Sequence, residues 1–305
     1  MLHHSIIGYS VIIPAYKSGC VVNSIYQQVY DVLSRTTNSF EIIIVDDASP
    51  DNTWENIQTI SKTIGNIKAV RLQTNVGQHT AIFCGIQHAQ GEFIITLDDD
   101  LQFSPSDIPK LIEKQQFQDA DIIYGTPVLR KHSFWRNVAS RMALHAFHLC
   151  LGTSMQGSPF RLFKRALFNT SSSLPPIVFI DGIAHAHANT TDWVSVSHNS
   201  RYAGVSGHQL IIQGLWALKL IYTYSSKKVR QFVLPSSMLF ILFTGAVINI
   251  VNYTSSCYTN FFLAMVNFSV LVVLVIYGYL YFSLFKAQRK LLHQGRYKVR
   301  ASLGL

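Results

Sequence analysis

Residues 231–285 carry no charged side chain, and no other feature narrows the fold of this chain so far. Two apolar stretches lie inside that run, 232–254 and 261–285, separated by the short uncharged linker SSCYTN. A membrane-crossing helix needs about 20 apolar residues, so each stretch is long enough to cross. Two crossings joined by a tight turn return the chain to the side it left. Lys227, Lys228 and Arg230 precede the first stretch; Lys286, Arg289, Lys290, Arg296, Lys298 and Arg300 follow the second. Basic flanks mark cytoplasmic ends. This reading places both termini, and the large region before residue 226, on the cytoplasmic face of the inner (cytoplasmic) membrane in a multi-pass protein.

The net charge of +9 is sorted along the chain. Residues 1–225 hold 16 basic and 16 acidic side chains, while the last 80 residues hold 9 basic and none acidic. Such a distribution argues for a membrane-facing tail and against a nucleic-acid-binding domain. Residues 209–224, QLIIQGLWALKLIYTY, are apolar but lie too close to the next span to cross alone. Trp216, Tyr222 and Tyr224 suit the membrane interface, although a core helix fits the same pattern. The expected organisation is a catalytic-type domain over 1–208, an interfacial amphipathic segment over 209–230, two transmembrane helices over 231–286 and a basic cytoplasmic tail over 287–305. The N-terminal stretch MLHHSIIGYSVIIP has neither the charged start nor the cleavage site of a signal peptide. Four cysteines without a CxxC pair suggest no disulfide framework and no zinc knuckle.

The first half alternates short β-rich runs with helical patterns. Strands are expected over 9–16, 40–49, 67–73, 92–100 and 120–128, and helices over 51–64, 76–89 and 105–117. That order implies an α/β fold with a mostly parallel sheet flanked by helices. Ligands bind such sheets beyond the carboxyl ends of the strands. Two acidic clusters, Asp46–Asp47 and Asp98–Asp100, fall at such ends, so they should share one crevice. Residues 122–180 then hold seven basic side chains and no acid. Either this is a solvated basic face or it serves a site that holds several phosphates.

In the run TLDDDLQ, residues 96–102, three carboxylates stand side by side and repel one another unless a cation joins them. If the strand continued through the row, alternation would turn Asp98, Asp100 and Gln102 to one face and Asp99 to the other. Two carboxylates and an amide oxygen suit a hard divalent ion, Mg2+ or Mn2+, which shares its remaining positions with substrate phosphates and water. A bare DxD is common. A DxDxQ behind an apolar strand, with a second acid pair at another strand end, is more specific. His185 and His187 form an H-x-H pair, but no third metal ligand stands near them in the sequence.

The stretches SVIIPAY, IIIVDDASPDNTW, NVGQHTAIFCGIQHAQGEFIITLDDDLQFSPSDIPKLI, FRLFKRAL and HNSRYAGVSG resemble family 2 glycosyltransferases. More narrowly, they resemble the polyprenyl-phosphate glycosyltransferases, across nearly the whole chain. The resemblance implies a GT-A fold that binds a nucleotide sugar, with Asp98, Asp100 and Gln102 as metal ligands. It implies that Pro14, Ala15 and Tyr16 line the base, and that Asp47, in preference to Asp46, accepts the base's imino hydrogen. Gly77 would bring backbone close to the donor at a helix start. Arg161 would serve the donor phosphates or sugar, Arg130 and Lys131 the lipid phosphate, and Arg201 the acceptor side. Asp100, Arg161, Arg130 and Arg201 are thus the expected catalytic set.

Three departures from the family pattern cloud the sugar and acceptor contacts. Lys17 and Ser18 stand where a Glu usually follows, Gly207 and His208 stand where a Lys is frequent, and GIAHAHANTTDW replaces a Trp-containing stretch. The implied reaction is inverting transfer of one sugar from a nucleotide diphosphate, UDP by analogy, to a polyprenyl phosphate. Two alternatives stay open: transfer to a hydroxyl of a lipid-linked saccharide, for which Asp181 is the base to test, and a non-catalytic lipid-carrier partner of a flippase. The implied partners are the nucleotide sugar, the polyprenyl phosphate and the lipid bilayer, with no nucleic acid; a homo-oligomer is left open.

Overall fold

The computed structural model describes residues 7–63, 67–127, 158–169, 178–199 and 297–304. Along the chain these form β1 (Tyr9–Ala15), α1 (Val22–Thr36), β2 (Phe40–Asp46), α2 (Thr53–Thr63), β3 (Ile67–Leu72), α3 (Gln78–His88) and β4 (Phe93–Thr96). A 3-10 turn (Pro105–Asp107) leads into α4 (Ile108–Gln118), followed by β5 (Ile122–Pro127), β6 (Arg161–Lys164), α5 (Ile180–His185), β7 (Thr191–Val196) and β8 (Val299–Leu303). The eight strands form one sheet in the order β7-β5-β6-β4-β1-β2-β3-β8. The β4–β1–β2–β3 block is parallel, β7 runs parallel to β5, and β6 and β8 run antiparallel to their neighbours.

Both faces of the sheet are covered, which is why β1 and β2 read as unbroken apolar runs rather than alternating ones. Ile42 and Ile44 join Val22, Ile25, Val29 and Leu33 of α1 in one core. Ile43 and Val45 turn the other way, into a second core with Ala81, Ile82 and Cys84 of α3. Gly85 lets α3 lie tight on β1, since a Cβ there would meet Ile12 Cγ2 at 2.6 Å. Each aliphatic side chain buried in these layers contributes about 1.5–3 kcal/mol.

Several boundaries and elements differ from the sequence reading. The first strand, expected over 9–16, ends at Ala15, and Pro14 lies inside it, opposite Val45. Pairing with β4 stops at Ile12↔Thr96. The Ile12 carbonyl accepts from Leu97 N on that side, and Pro14, two residues on, faces the same way. Its missing N–H therefore removes no ladder bond. The strand expected to reach residue 100 ends at Thr96, and the acid row sits in a turn beyond it. Helix α1, strands β6 and β7 and helix α5 are not among the expected elements, although α1 buries Val22, Ile25, Tyr26, Val29 and Leu33 at regular helical spacing. The residues 299–303, expected in a basic tail, instead form edge strand β8 against β3. Ala301 and Leu303 pack on the core while Arg300 is exposed, so the alternation of a half-buried strand is hidden beneath a basic composition. The interfacial segment and the two expected transmembrane helices lie outside the described residues; among the described residues no helix is long and apolar enough to cross a membrane.

Candidate active site

Strands β1, β2 and β4 end side by side, and the residues that follow them meet in one cavity of about 690 Å³. Pro14, Ala15 and Tyr16 come from β1, Asp47 from β2, Asp98–Asp100 from β4, and Gly77 from the start of α3. Asp47 and the Asp98–Asp100 row thus share one crevice, and the cavity has the size of a small-molecule site.

Asp47 is the carboxylate of its pair that reaches the cavity. Its Oδ1 accepts from Val76 N and its Oδ2 from Gly77 N, both at 2.8 Å. Burial pushes its pKa up, and those two N–H bonds pull against that rise. Each oxygen keeps acceptor capacity for a ligand donor. Gly77 has φ 90°, and a Cβ there would meet nothing within 4 Å. The backbone angle, not crowding, therefore calls for glycine at this helix start. Asp46 is taken out of the cleft: it is fully buried and pairs with Arg71 Nε at 3.2 Å. Its Oδ1 accepts from Ser49 N. The grouping of Asp46 with the substrate contacts is corrected on this ground, because the strand's alternation sends consecutive acids to opposite sides.

The acid row divides, but through turn geometry rather than strand alternation. Asp99 turns back to β1, where it accepts from Tyr16 N at 3.2 Å and from the Ser18 hydroxyl. Asp98 accepts from the Gln78 side chain on the first turn of α3. Asp100 Oδ1 accepts from Gln102 N at 3.1 Å, and the Gln102 carbonyl accepts from Asn199 N at 2.8 Å. Gln102 itself is not among the residues lining the cavity. Burial, then Asp100 and Asp99, push the Asp98 carboxyl up to about 7. A cation at this row would relieve that repulsion, and carboxylate oxygens are the donors a hard divalent ion takes. Among the described residues no cluster of three His, Cys, Asp or Glu stands ready as a closed metal cage. An open site completed by substrate oxygens does not require one.

Backbone strain gathers at the same strand ends. Among the described residues four non-glycine residues have positive φ, and three of them, Lys17 (58°), Ala48 (55°) and Leu101 (57°), each stand next to a residue lining the crevice. Such angles persist only where surrounding contacts over-determine them. Tyr16 N to Ser18 Oγ (3.1 Å) and Lys17 N to Ser49 Oγ (3.1 Å) do so for the β1 turn.

Beneath the cleft lies a buried polar cluster. Arg161 Nη1 donates to both Asp181 oxygens, at 2.8 and 2.6 Å, and to the Ser158 carbonyl. The Tyr124 hydroxyl donates to Asp181 at 2.8 Å, with His185 Nε2 3.2 Å from it. Arg161 is 3 % exposed and Asp181 2 %. Arg161 is therefore committed to Asp181 and does not line the cavity; it reaches the acid row as a neighbouring charge that lowers the Asp98 pKa. Asp181 is likewise occupied and does not face the cleft as a free base. His185 and His187 fall at the end of a helix, not on a strand, and His185 is turned to Tyr124.

Arg130, Lys131 and Arg201 lie outside the described residues. The strands that lead towards them end where the acids are. Strand β5 ends at Pro127, β7 ends at Val196, and Asn199 is bonded to Gln102. Sequence reasoning did not single out Ser49 or Gln78, or read Lys17 and Ser18 as anything but departures. Their hydrogen bonds depend on neighbours 20 to 81 positions away, and single serines and glutamines carry no local signal.

A mostly parallel sheet with a carboxylate under one helix start and an acid row at the next strand end defines a GT-A-type α/β domain. The chain belongs to the family described as "Glycosyl transferase family 2", whose model matches residues 10–173. It is 31 % identical over 201 residues to an undecaprenyl-phosphate 4-deoxy-4-formamido-L-arabinose transferase of Pseudomonas aeruginosa (strain LESB58). That match covers 65 % of this chain and 59 % of the relative, so the chain spans little more than half of that protein's length. The protein of the same description from Yersinia pestis (strain Pestoides F) is 30 % identical over 244 residues, covering 78 % of this chain and 74 % of its own. Among solved structures, the mannosyltransferase PcManGT from Pyrobaculum calidifontis, in complex with GDP-Man and Mn2+, superposes with a TM-score of 0.54 at 14 % identity, covering 93 % of this chain and 87 % of that one. The glucosyl-3-phosphoglycerate synthase of Mycobacterium tuberculosis, in complex with Mn2+, UDP-Glc and phosphoglyceric acid, gives 0.51 at 18 % identity, covering 71 % and 78 %. At these identities the likeness is one of fold.

Proposed function

We propose that this protein transfers a single sugar, with inversion, from a nucleotide diphosphate sugar to a polyprenyl phosphate at the cytoplasmic membrane face. The observation that carries the reading is the convergence of Asp47, the Gly77 helix start and Asp98–Asp100 in one cavity at the strand ends. The likeness to undecaprenyl-phosphate sugar transferases supports the acceptor class. The proposed donor is UDP-linked.

In this reading Tyr16 and Asp47 hold the nucleobase, and Asp98, Asp100 and Gln102 hold Mg2+ or Mn2+. A divalent ion there supplies charge stabilisation to the departing diphosphate. Arg130, Lys131 and Arg201 bind the acceptor phosphate. Arg201 follows Asn199 by two residues, and Asn199 is tied to the turn that begins at Asp100. Arg130 follows the end of β5 by three residues. The described segments that precede them therefore end on the side of the sheet that carries the acid row, which suits an acceptor phosphate brought to the donor. The second pKa of a phosphate monoester is about 6, so its attacking oxygen is already anionic near neutral pH. No general base is then needed, in keeping with an Asp181 already engaged by Arg161. What remains is positioning and charge management.

Placement on the membrane, with an interfacial segment over 209–230 and a two-helix hairpin over 231–286, belongs to the same proposal. Strands β7 and β8 lie in one sheet on either side of the apolar run. A chain that leaves a domain and returns to it crosses a bilayer an even number of times, so two crossings fit. The test is incubation of membranes containing the protein with labelled nucleotide sugars, with and without chelator. The expected product is a lipid whose label mild acid releases. A product in which the sugar sits on a hydroxyl of a lipid-linked saccharide, stable to mild acid, would overturn the acceptor assignment.

A further inference from the structure

We infer that Lys17 is a donor-binding residue of this chain, whose ammonium engages the anionic diphosphate of the nucleotide; the inference rests on the donor reading above. Four carboxylates line the crevice, Asp47, Asp98, Asp99 and Asp100, and Lys17 is the one basic side chain among the lining residues described. In a cavity so acidic, an ammonium would be expected to pair with a carboxylate. Lys17 does not: among the described residues it enters no ion pair, and its Nζ lies over the Tyr16 ring, 5.4 Å from the centroid. An exposed cation–aromatic contact is weak, and a phosphate oxygen is the better partner.

The backbone shows that this aim is imposed. Lys17 holds φ 58° without being glycine, an angle that strains a long side chain. Three hydrogen bonds hold the turn around it: Lys17 N to Ser49 Oγ at 3.1 Å, Tyr16 N to Ser18 Oγ at 3.1 Å and Tyr16 N to Asp99 Oδ2 at 3.2 Å. The Ser18 hydroxyl also reaches Asp99. The clasp thus ties the lysine turn to the acid row and spends Asp99 on that tie. Tyr16, 44 % exposed, offers a ring to a base, and the adjacent Lys17 lines the same cavity as the acids. Base and diphosphate would then be read by neighbouring residues of one turn. The chemistry predicts discrimination by phosphate charge: Lys17 should matter for nucleoside diphosphates and be indifferent to nucleosides.

The test is calorimetric titration of the full-length protein in detergent, at fixed Mg2+, with uridine, UMP and UDP and with the guanosine series. Wild type, Lys17→Met and Lys17→Arg are compared. Methionine keeps the aliphatic stem and the same backbone strain; arginine restores the charge. Lys17→Met should weaken UDP binding about tenfold, the scale of one charge-assisted hydrogen bond. Uridine binding should change less than about twofold on that scale, and Lys17→Arg should recover most of the loss. Equal weakening of nucleoside and diphosphate, or no change in either, overturns the assignment while leaving the donor reading intact. A wild-type protein that binds neither diphosphate series would instead remove the donor reading itself.

Discussion

Replacing Arg161 with methionine tests whether this arginine is a support beneath the site or a direct contact to the donor. Its guanidinium and the Asp181 carboxylate are each 3 % exposed as side chains and lie 2.6 Å apart at closest. Without the arginine, Asp181 keeps, among the described residues, the Tyr124 hydroxyl at 2.8 Å and is left as a buried charge. Breaking such a pair costs about 3–5 kcal/mol. For a domain of this size each kcal/mol shifts the melting temperature by about 2–4 °C, so Arg161→Met should melt roughly 6–20 °C below wild type. Replacing both partners by apolar groups, Arg161→Met with Asp181→Leu, removes the stranded charge and should recover at least half of that loss. Thermal unfolding of the detergent-solubilised protein, followed by intrinsic fluorescence, reads both variants. A single variant within about 1 kcal/mol of wild type, or a double variant no better than the single, would refute the argument. In the folded double variant UDP binding should weaken through Asp98, whose pKa Arg161 lowers, rather than disappear.

Chelator should abolish transfer, and Asp100→Ala should do the same without loss of fold; Asp99→Ala should instead raise the donor KM, because Asp99 holds the Tyr16–Ser18 turn. Metal titrations of the two variants separate these outcomes. Burial, then the charge of Arg161, depress the His79 pKa to about 4, below its usual 6.5. A folded-state value below the unfolded one gives stability that is present above pH 6.5 and is lost as pH falls through 4. The stability difference between wild type and His79→Asn should therefore shrink between those values in urea titrations, an isolation needed because Asp98 shifts with the opposite sign. Truncation before Tyr297 removes β8 and bares the edge of β3. Several backbone hydrogen bonds at about 0.5–1.5 kcal/mol each are lost, and an open edge invites pairing between molecules. A lowered melting temperature and light-scattering growth are expected; an unchanged, monodisperse protein would contradict the pairing.

The parallel block β1 to β4 was legible because both of its faces are covered, so Val11–Ile13 and Ile42–Val45 print as continuous apolar runs. The acids were legible because they end those runs. Their directions were not: the row lies past Thr96 in a turn, where period-two reasoning has no strand to act on. Strand β8 was missed for another reason. Its half-buried alternation spans five residues, and its partner β3 stands some 230 positions earlier, a distance over which no local pattern reports. Arg161 was found by motif but not by role, since nothing near it in sequence reveals Asp181, twenty residues on.

The sorting of charge along the chain acquires a reason in the topology. Acids gather in the first half because β1, β2 and β4 are parallel neighbours and present their carboxyl ends together. Strand β6 runs antiparallel between β4 and β5, which turns β5 to the direction of β4, and β7 runs parallel to β5. Strands β5 and β7 therefore end at the same end of the sheet as the acids, and Arg130, Lys131 and Arg201 follow them in the sequence. One antiparallel strand thus lets strands far apart in the sequence end at one end of the sheet. The proposed function, with acids that hold a metal and basic residues that hold an acceptor phosphate, calls for both sets at that end. Mixed along the chain, the same charges would pair with each other and leave little for two phosphorylated substrates.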